Sequence, residues 1–225
     1  MKKIIFTLLF TGLAFTGYSQ GNNPFDASNS NTNQVTTKPM VVTDYEGSPY
    51  LEDQFTPGLI VEEGNKSQTV YIRYNVVDDQ VELKVAPAQK DIYLLPRQQK
   101  FSYKLKDYSY TLSAYNVEDL GLVKGYVMTY YASDKIVFIG KPLAQVIPGQ
   151  AAKTGYDKAK PATIDIATNF YIGKPNEQLK EVRIKEKDFE KILGDKKGMK
   201  EYFDDNKIKT TDDVIKMLKF YDSKN

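Results

Sequence analysis

Histidine, cysteine and tryptophan are absent from all 225 residues. Without His or Cys there is no Ser-His-Asp or Cys-His nucleophile, no zinc site built on imidazole or thiolate, no haem with a His or Cys axial ligand, and no disulfide. The sequence also lacks a glycine-rich phosphate loop and an SxxK motif. Charge of one sign is missing as well. The formal net charge is +2, and acidic and basic residues are intermixed. Nucleic acid is therefore not an expected partner, because phosphate binding draws on a one-signed basic block.

Long apolar runs are equally scarce. The one that stands out, residues 4–15, is broken only by Thr7, Thr11 and Gly12. It is shorter than the stretch of about 20 residues that a spanning helix needs. Lys2 and Lys3 precede it, and Gly17 and Ser19 follow at the −3 and −1 positions of a small-residue cleavage site. Residues 1–19 thus read as a secretory signal, and loss of Lys2 and Lys3 leaves the mature chain near neutral. No Cys follows the run, which excludes lipid attachment through an N-terminal cysteine. The expectation is an exported chain with no direct membrane insertion after cleavage. At about 205 residues it is long enough to bury an ordinary core.

What is present falls into three zones. Residues 20–40 are rich in Asn, Ser and Thr and read as a flexible leader, since they bury too little to offset ordering entropy. Residues 41–147 read as an antiparallel β domain in which, from about 58 to 147, the period is two. Val70, Ile72 and Tyr74 alternate with Tyr71, Arg73 and Asn75, and Val81, Leu83 and Val85 alternate with Glu82 and Lys84. EEGNKS and VVDD read as hairpin connections, and two further hairpins turn at Lys106-Asp107 and at Ser133-Asp134-Lys135. Residues 136–139 are apolar on both faces, so that strand must be covered twice. Residues 148–160 read as a linker. Residues 161–225 supply a last hairpin and three short amphipathic helices, spaced on Phe189, Ile192 and Leu193, on Met199, Tyr202 and Phe203, and on Val214, Met217, Leu218 and Tyr221. Gly194 is a helix stop, and Thr210 with Asp213 makes a capping box. The fold class is α+β: a curled antiparallel sheet or open barrel, then a hairpin and three C-terminal helices packed on it.

GSPYLEDQFTPG, residues 47–58, carries Glu52 and Asp53 just after Asp44 and Glu46. Paired carboxylates serve glycosidases and calcium sites, yet EF-hand spacing is missing and Pro49 and Pro57 favour an extended loop that shapes the sheet. Arg73 lies among aromatics, where it could hold a carboxylate or stack on tyrosine, or pair with Glu82 across the hairpin. Tyr126, Tyr130 and Tyr131 fit core packing or the lining of a sugar or lipid site. No catalytic, cofactor or metal residue is assigned. The surface expected to meet a partner or ligand comprises Tyr50, Arg73, Tyr126, Tyr130 and Tyr131.

In order, GSPYLEDQF, YIRYNVVDDQVELK, GYVMTYYASDK, Ala159-Lys160-Pro161 and TTDDVIKMLKFYDS resemble a group of uncharacterised exported proteins of Bacteroidota. The similarity spans nearly all of residues 43–222 and departs at 99–116, which is richer in tyrosine. It implies a Gram-negative cell envelope and assigns no functional residue. The expected function is non-catalytic binding of another envelope protein, as a subunit of an assembly. A carrier of an apolar or sugar ligand in a tyrosine-lined sheet is the alternative, and a hydrolase using Glu52, Asp53 or Asp44 the third. No tail resembling a surface-sorting domain is evident after residue 160, so the expected location is the periplasm, with the cell surface or outer membrane as alternatives.

Overall fold

The computed structural model describes residues 36–37, 45–63, 66–150, 152, 154 and 158–224. The expected signal and Asp44 lie outside them, as does all of the leader except Thr36 and Thr37. The strands are β1 (Thr36–Thr37), β2 (Tyr45–Glu46), β3 (Thr56–Glu62), β4 (Lys66–Asn75), β5 (Gln80–Lys84), β6 (Tyr93–Leu94), β7 (Phe101–Lys104), β8 (Ser109–Val117), β9 (Gly121–Ala132), β10 (Val137–Ile147), β11 (Ala162–Gly173) and β12 (Lys180–Val182). Three helices close the chain: α1 (Glu186–Leu193), α2 (Met199–Asp205) and α3 (Thr211–Lys224). The class is α+β. The strands form one sheet in the order β1-β6-β5-β4-β3-β7-β8-β9-β10-β11-β12, with β2 added in parallel to β11.

The pairings along that path are antiparallel and mostly between sequence neighbours, as the period of two and the short polar turns require. VVDD joins β4 to β5, and Leu105 N–H bonds the Tyr108 carbonyl at the β7–β8 turn (2.9 Å). β10 and β11 pair from Val137↔Gly173 to Ile147↔Thr163, so the sheet runs unbroken past residues 148–160. Gln150 and Lys160 bond each other's backbone at the base of that connection. Besides β2 and its parallel pairing with β11, two further pieces escaped the sequence reading. Thr36 and Thr37, expected within the leader, pair with Leu94 and Tyr93 of β6, and β6 itself is too short to show a period.

Three apolar clusters hold the layers. Inside the sheet, Val70, Ile72 and Tyr74 of β4 meet Tyr103, Tyr110, Tyr126 and Met128. On the helical side, Phe138 and Ile172 meet Phe189, Leu193, Met199, Phe203, Met217 and Leu218. On the remaining face of β9 and β10, Val127, Val137 and Ile139 meet Val117, Tyr171 and Leu179. Residues 136–139 are thus covered on both faces, as their composition demands. Tyr130 sits beside a register shift in the β9–β10 ladder and packs against both the first and the second cluster. Thr210 and Asp213 form the reciprocal cap of α3: Asp213 N–H donates to Thr210 Oγ1 (3.2 Å), and Thr210 N–H donates to Asp213 Oδ2 (3.0 Å).

Phe138 is fully buried, stacked on Phe170 with ring centres 5.7 Å apart and edge-on to Phe189 at 6.0 Å. Phe138→Ala should cost about 3–5 kcal/mol by denaturant unfolding. Thr210→Ala, which removes one exposed cap, should cost about 1 kcal/mol. A Phe138→Ala effect no larger than the cap's would show that the helices are not docked through this ring.

Candidate functional site

β9 and β10 pair from Val137↔Ala132, with one register shift between Phe138 and Ile139, and then separate. Their register holds at Ile139↔Thr129 and Gly140↔Met128 and stops there. One residue pair further would be Lys141 opposite Val127, and the next Pro142 opposite Tyr126. Proline has no N–H to give the Tyr126 carbonyl, so the ladder ends where the sequence removes its donor. Lys141 takes over, its Nζ donating to the Tyr126 carbonyl at 2.9 Å. The Tyr126 N–H donates to Asp79 Oδ1 at 3.1 Å. A side-chain cation and a side-chain anion therefore satisfy the backbone that a strand would otherwise satisfy.

Asp79 comes from the turn between β4 and β5, where it adopts φ +50°. Its Oδ1 also accepts from the Tyr74 hydroxyl (2.5 Å) and Lys141 Nζ (3.0 Å), and its Oδ2 accepts from Arg97 Nη2 (2.5 Å). Arg97 Nη1 donates to the Asp79 carbonyl. The turn approaches β9 over Gly125, where φ is +114° and a Cβ would collide with the Asp79 carboxylate and Lys141 Nζ. Burial alone would raise the Asp79 pKa, but the bonds from Tyr74, Arg97 and Lys141 and the Lys141 charge outweigh it and hold the carboxyl below its usual range. One carboxylate thus joins the β4–β5 turn to β9 and β10, from which β3, β7 and β8 separate it in the sheet order.

A second cluster answers the question raised by GSPYLEDQF. After β3 ends its pairing at Thr56↔Ile72, the preceding loop rejoins β4: Tyr50 bridges Asn75, and Leu51 N–H bonds the Tyr74 carbonyl (3.1 Å). The Arg73 guanidinium lies 3.6 Å from the Tyr50 ring centre and 4.4 Å from that of Phe55. Its Nη2 donates to Glu82 Oε2 (2.7 Å), and its Nη1 to the Asp53 carbonyl (3.3 Å). The alternation in β5 placed Glu82 on a polar face, but Glu82 is fully buried because this loop covers it and Arg73 pairs it. Glu52 accepts from the Tyr108 hydroxyl and, at 3.2 Å, from that of Tyr110.

The expected surface residues part company here. Tyr50 and Arg73 stack together and are half-buried. Tyr126 is 2% exposed and lies edge-on to Tyr74 and Tyr103, so it presents no surface. Tyr130 stacks between Tyr108 and Phe138, and Tyr131 donates to Asp222 Oδ2 at 2.5 Å. Burial, helped by nearby carboxylates, pushes the Tyr130 and Tyr131 phenols up to about 12, and burial drives those of Tyr74, Tyr103, Tyr108 and Tyr110 higher still. These tyrosines stay protonated at neutral pH and serve as hydrogen-bond donors. Among the described residues no three Asp or Glu side chains group closely enough to hold a metal ion. The sequence reading did not single out Asp79, Lys141 or Arg97 for a site. Pro142, a proline inside a strand pattern, was the available signal.

No protein-family model, no curated protein and no solved structure matches this chain.

Because the folded pKa of Asp79 lies below its unfolded value, its stabilisation is complete above the unfolded pKa of about 3.9 and is lost as pH falls through the folded value. Asp79→Asn should therefore destabilise most at neutral pH, and its deficit against the wild type should shrink as the pH falls below about 4. Unfolding curves collected from pH 7 to 2 test this, and a deficit independent of pH would remove the carboxylate's charge from the account. Lys141→Met should cost about 3 kcal/mol or more at neutral pH, by leaving Asp79 and the Tyr126 carbonyl short of a donor.

Proposed function

We propose that this chain is a non-catalytic exported protein of the cell envelope that works by binding another protein, as a subunit of an envelope assembly. The observation that carries the reading is where apolar surface is left uncovered. Leu120, in the turn just before β9, and Leu122, near its start, are 56% and 53% exposed, and Leu143, Val146 and Ile147 are 46%, 52% and 50% exposed at the end of β10. Apart from Leu120, these residues lie on the parts of the two strands beyond their shared ladder. Scattered single apolar residues need no explanation, but runs of them on two neighbouring strands of a sheet curled by Asp79 favour a protein contact. The signal-like residues 1–19 favour export to the periplasm.

The alternative of a ligand carrier draws less support. The sheet interior that would hold the ligand is filled by Tyr74, Tyr103, Tyr110 and Tyr126, each 2% exposed or less. The hydrolase reading is weakened in the same way, because both Glu52 oxygens accept tyrosine hydroxyls.

The test is chemical crosslinking of the tagged mature chain in its own cells, followed by mass spectrometry. The expected result is one envelope protein joined reproducibly through residues 120–124 or 143–147. The double change Leu143→Lys with Ile147→Lys should abolish that crosslink while moving stability by less than about 1 kcal/mol, both sites being exposed. Failure to join any protein would end the reading.

A further inference from the structure

The fork between β9 and β10 has a property that its apolar surface alone does not convey. β9 from Gly121 to Gly125 has a strand neighbour only in β8, and β10 from Leu143 to Ile147 only in β11, among the described residues. Each strand therefore turns one backbone edge toward the fork with no ladder on it. Pro142 fixes which groups these are on β10: its N faces the fork, so the N–H and C=O of Ala144 and Val146, two and four residues on, face the same way. Natural sheets blunt such edges with charge, proline or shortness. The outer edges here are treated so, β12 being three residues long with Lys180 and Glu181, and β1 two residues long. Beyond Pro142 the β10 edge reads LAQVI, with no charge and no proline.

We infer that the β10 edge from Leu143 to Ile147 accepts an extended strand of a partner protein, which completes the sheet in the fork. The inference rests on the protein-binding reading above and names the surface and the form of the partner. A free row of N–H and C=O groups is matched by another polypeptide in extended form, with Leu143 and Ile147 on one face and Val146 on the other to receive alternate side chains. Charge selects among such strands. In GLVKGYV and KPLAQVI, which span the two diverging arms, the charged residues are Lys124 and Lys141, and Arg97 lies 42% exposed at the base of the fork. Lys141 and Arg97 are both paired with Asp79, so the cation of the two arms left to select a partner is Lys124. The fitting strand is apolar on alternate positions and carries carboxylates at one end. A second copy of this chain would bring no carboxylate from its own two arms to meet Lys124, so the occupant is a different protein.

The probes are two synthetic peptides, TVTITVDE and TVTITVKK, titrated into the full mature chain while amide hydrogen exchange is followed by NMR. The acidic peptide should slow exchange at Ala144 and Val146 and bind about tenfold or more tightly than the lysine peptide. Val146→Pro removes one of those donors and should weaken binding by about tenfold. Lys124→Glu, an exposed change that leaves the β10 edge intact, should reverse the preference between the peptides and keeps the test decisive if Val146→Pro misfolds. Equal binding of both peptides to the Lys124→Glu variant, or no slowed exchange at Ala144 and Val146 with either, overturns the inference. So does a concentration-dependent dimer crosslinked through its own Val146. If the peptides fail while an envelope protein still crosslinks in cells through another face, the strand acceptor is wrong and the protein-binding reading stands.

Discussion

Asp79 is one carboxylate in a turn, yet parts of the chain that the sheet order holds apart meet on it. Its oxygens take a phenol from β4, a guanidinium from the segment after β6, an ammonium from β10 and a backbone N–H from β9. An isolated charge at a half-buried site would be costly, and four donors make it tolerable. Each donor is in turn placed by the charge, which fixes where β9 lies relative to the β4–β5 turn. Gly125 is the complementary concession, because a side chain there would hold the turn away from β9.

Two other carboxylates repeat this arrangement in milder form. Glu82 is buried under Arg73 and the loop at 49–55, and Glu52 holds Tyr108 and Tyr110. Six tyrosines run in contact from Tyr103 through Tyr126, Tyr74, Tyr110 and Tyr108 to Tyr130, at ring separations of 4.8–6.2 Å. Tyrosine suits this interior because its ring fills volume as phenylalanine would, while its hydroxyl answers an acid that must be buried. Within the tyrosine-rich residues 99–116, Tyr108 and Tyr110 serve this pairing of phenols with an acid, while Tyr103 packs in the same interior against Tyr126.

Much of the fold was legible because it rests on local alternation. The faces of β4, the turn at Lys106-Asp107, the double covering of residues 136–139 and the cap of α3 all depend on residues within a few positions of one another. What was not legible depends on distant partners. The period of β5 assigns Glu82 to solvent, and only the loop thirty residues earlier reverses that. Asp79 reads as one of two turn aspartates, since nothing near it in sequence announces Tyr126 or Lys141. Tyr126 offered a face but no depth. Its 2% exposure follows from rings on β4 and β7, not from β9 itself.

Pro142 links the closed part of the molecule to its open part. By withholding one N–H it ends the β9–β10 ladder and obliges Lys141 to serve Tyr126. Lys141 can do so at little exposure only because Asp79 balances its charge. The Asp79 cluster and the free β10 edge are therefore two consequences of one missing donor. A residue able to donate at position 142 could extend the ladder, compete with Lys141 for the Tyr126 carbonyl and close the fork. Keeping the edge open thus requires a charged pair that would have no role in a continuous sheet. That cost in buried charge is the physical reason to read the fork as a working surface and not as a frayed end.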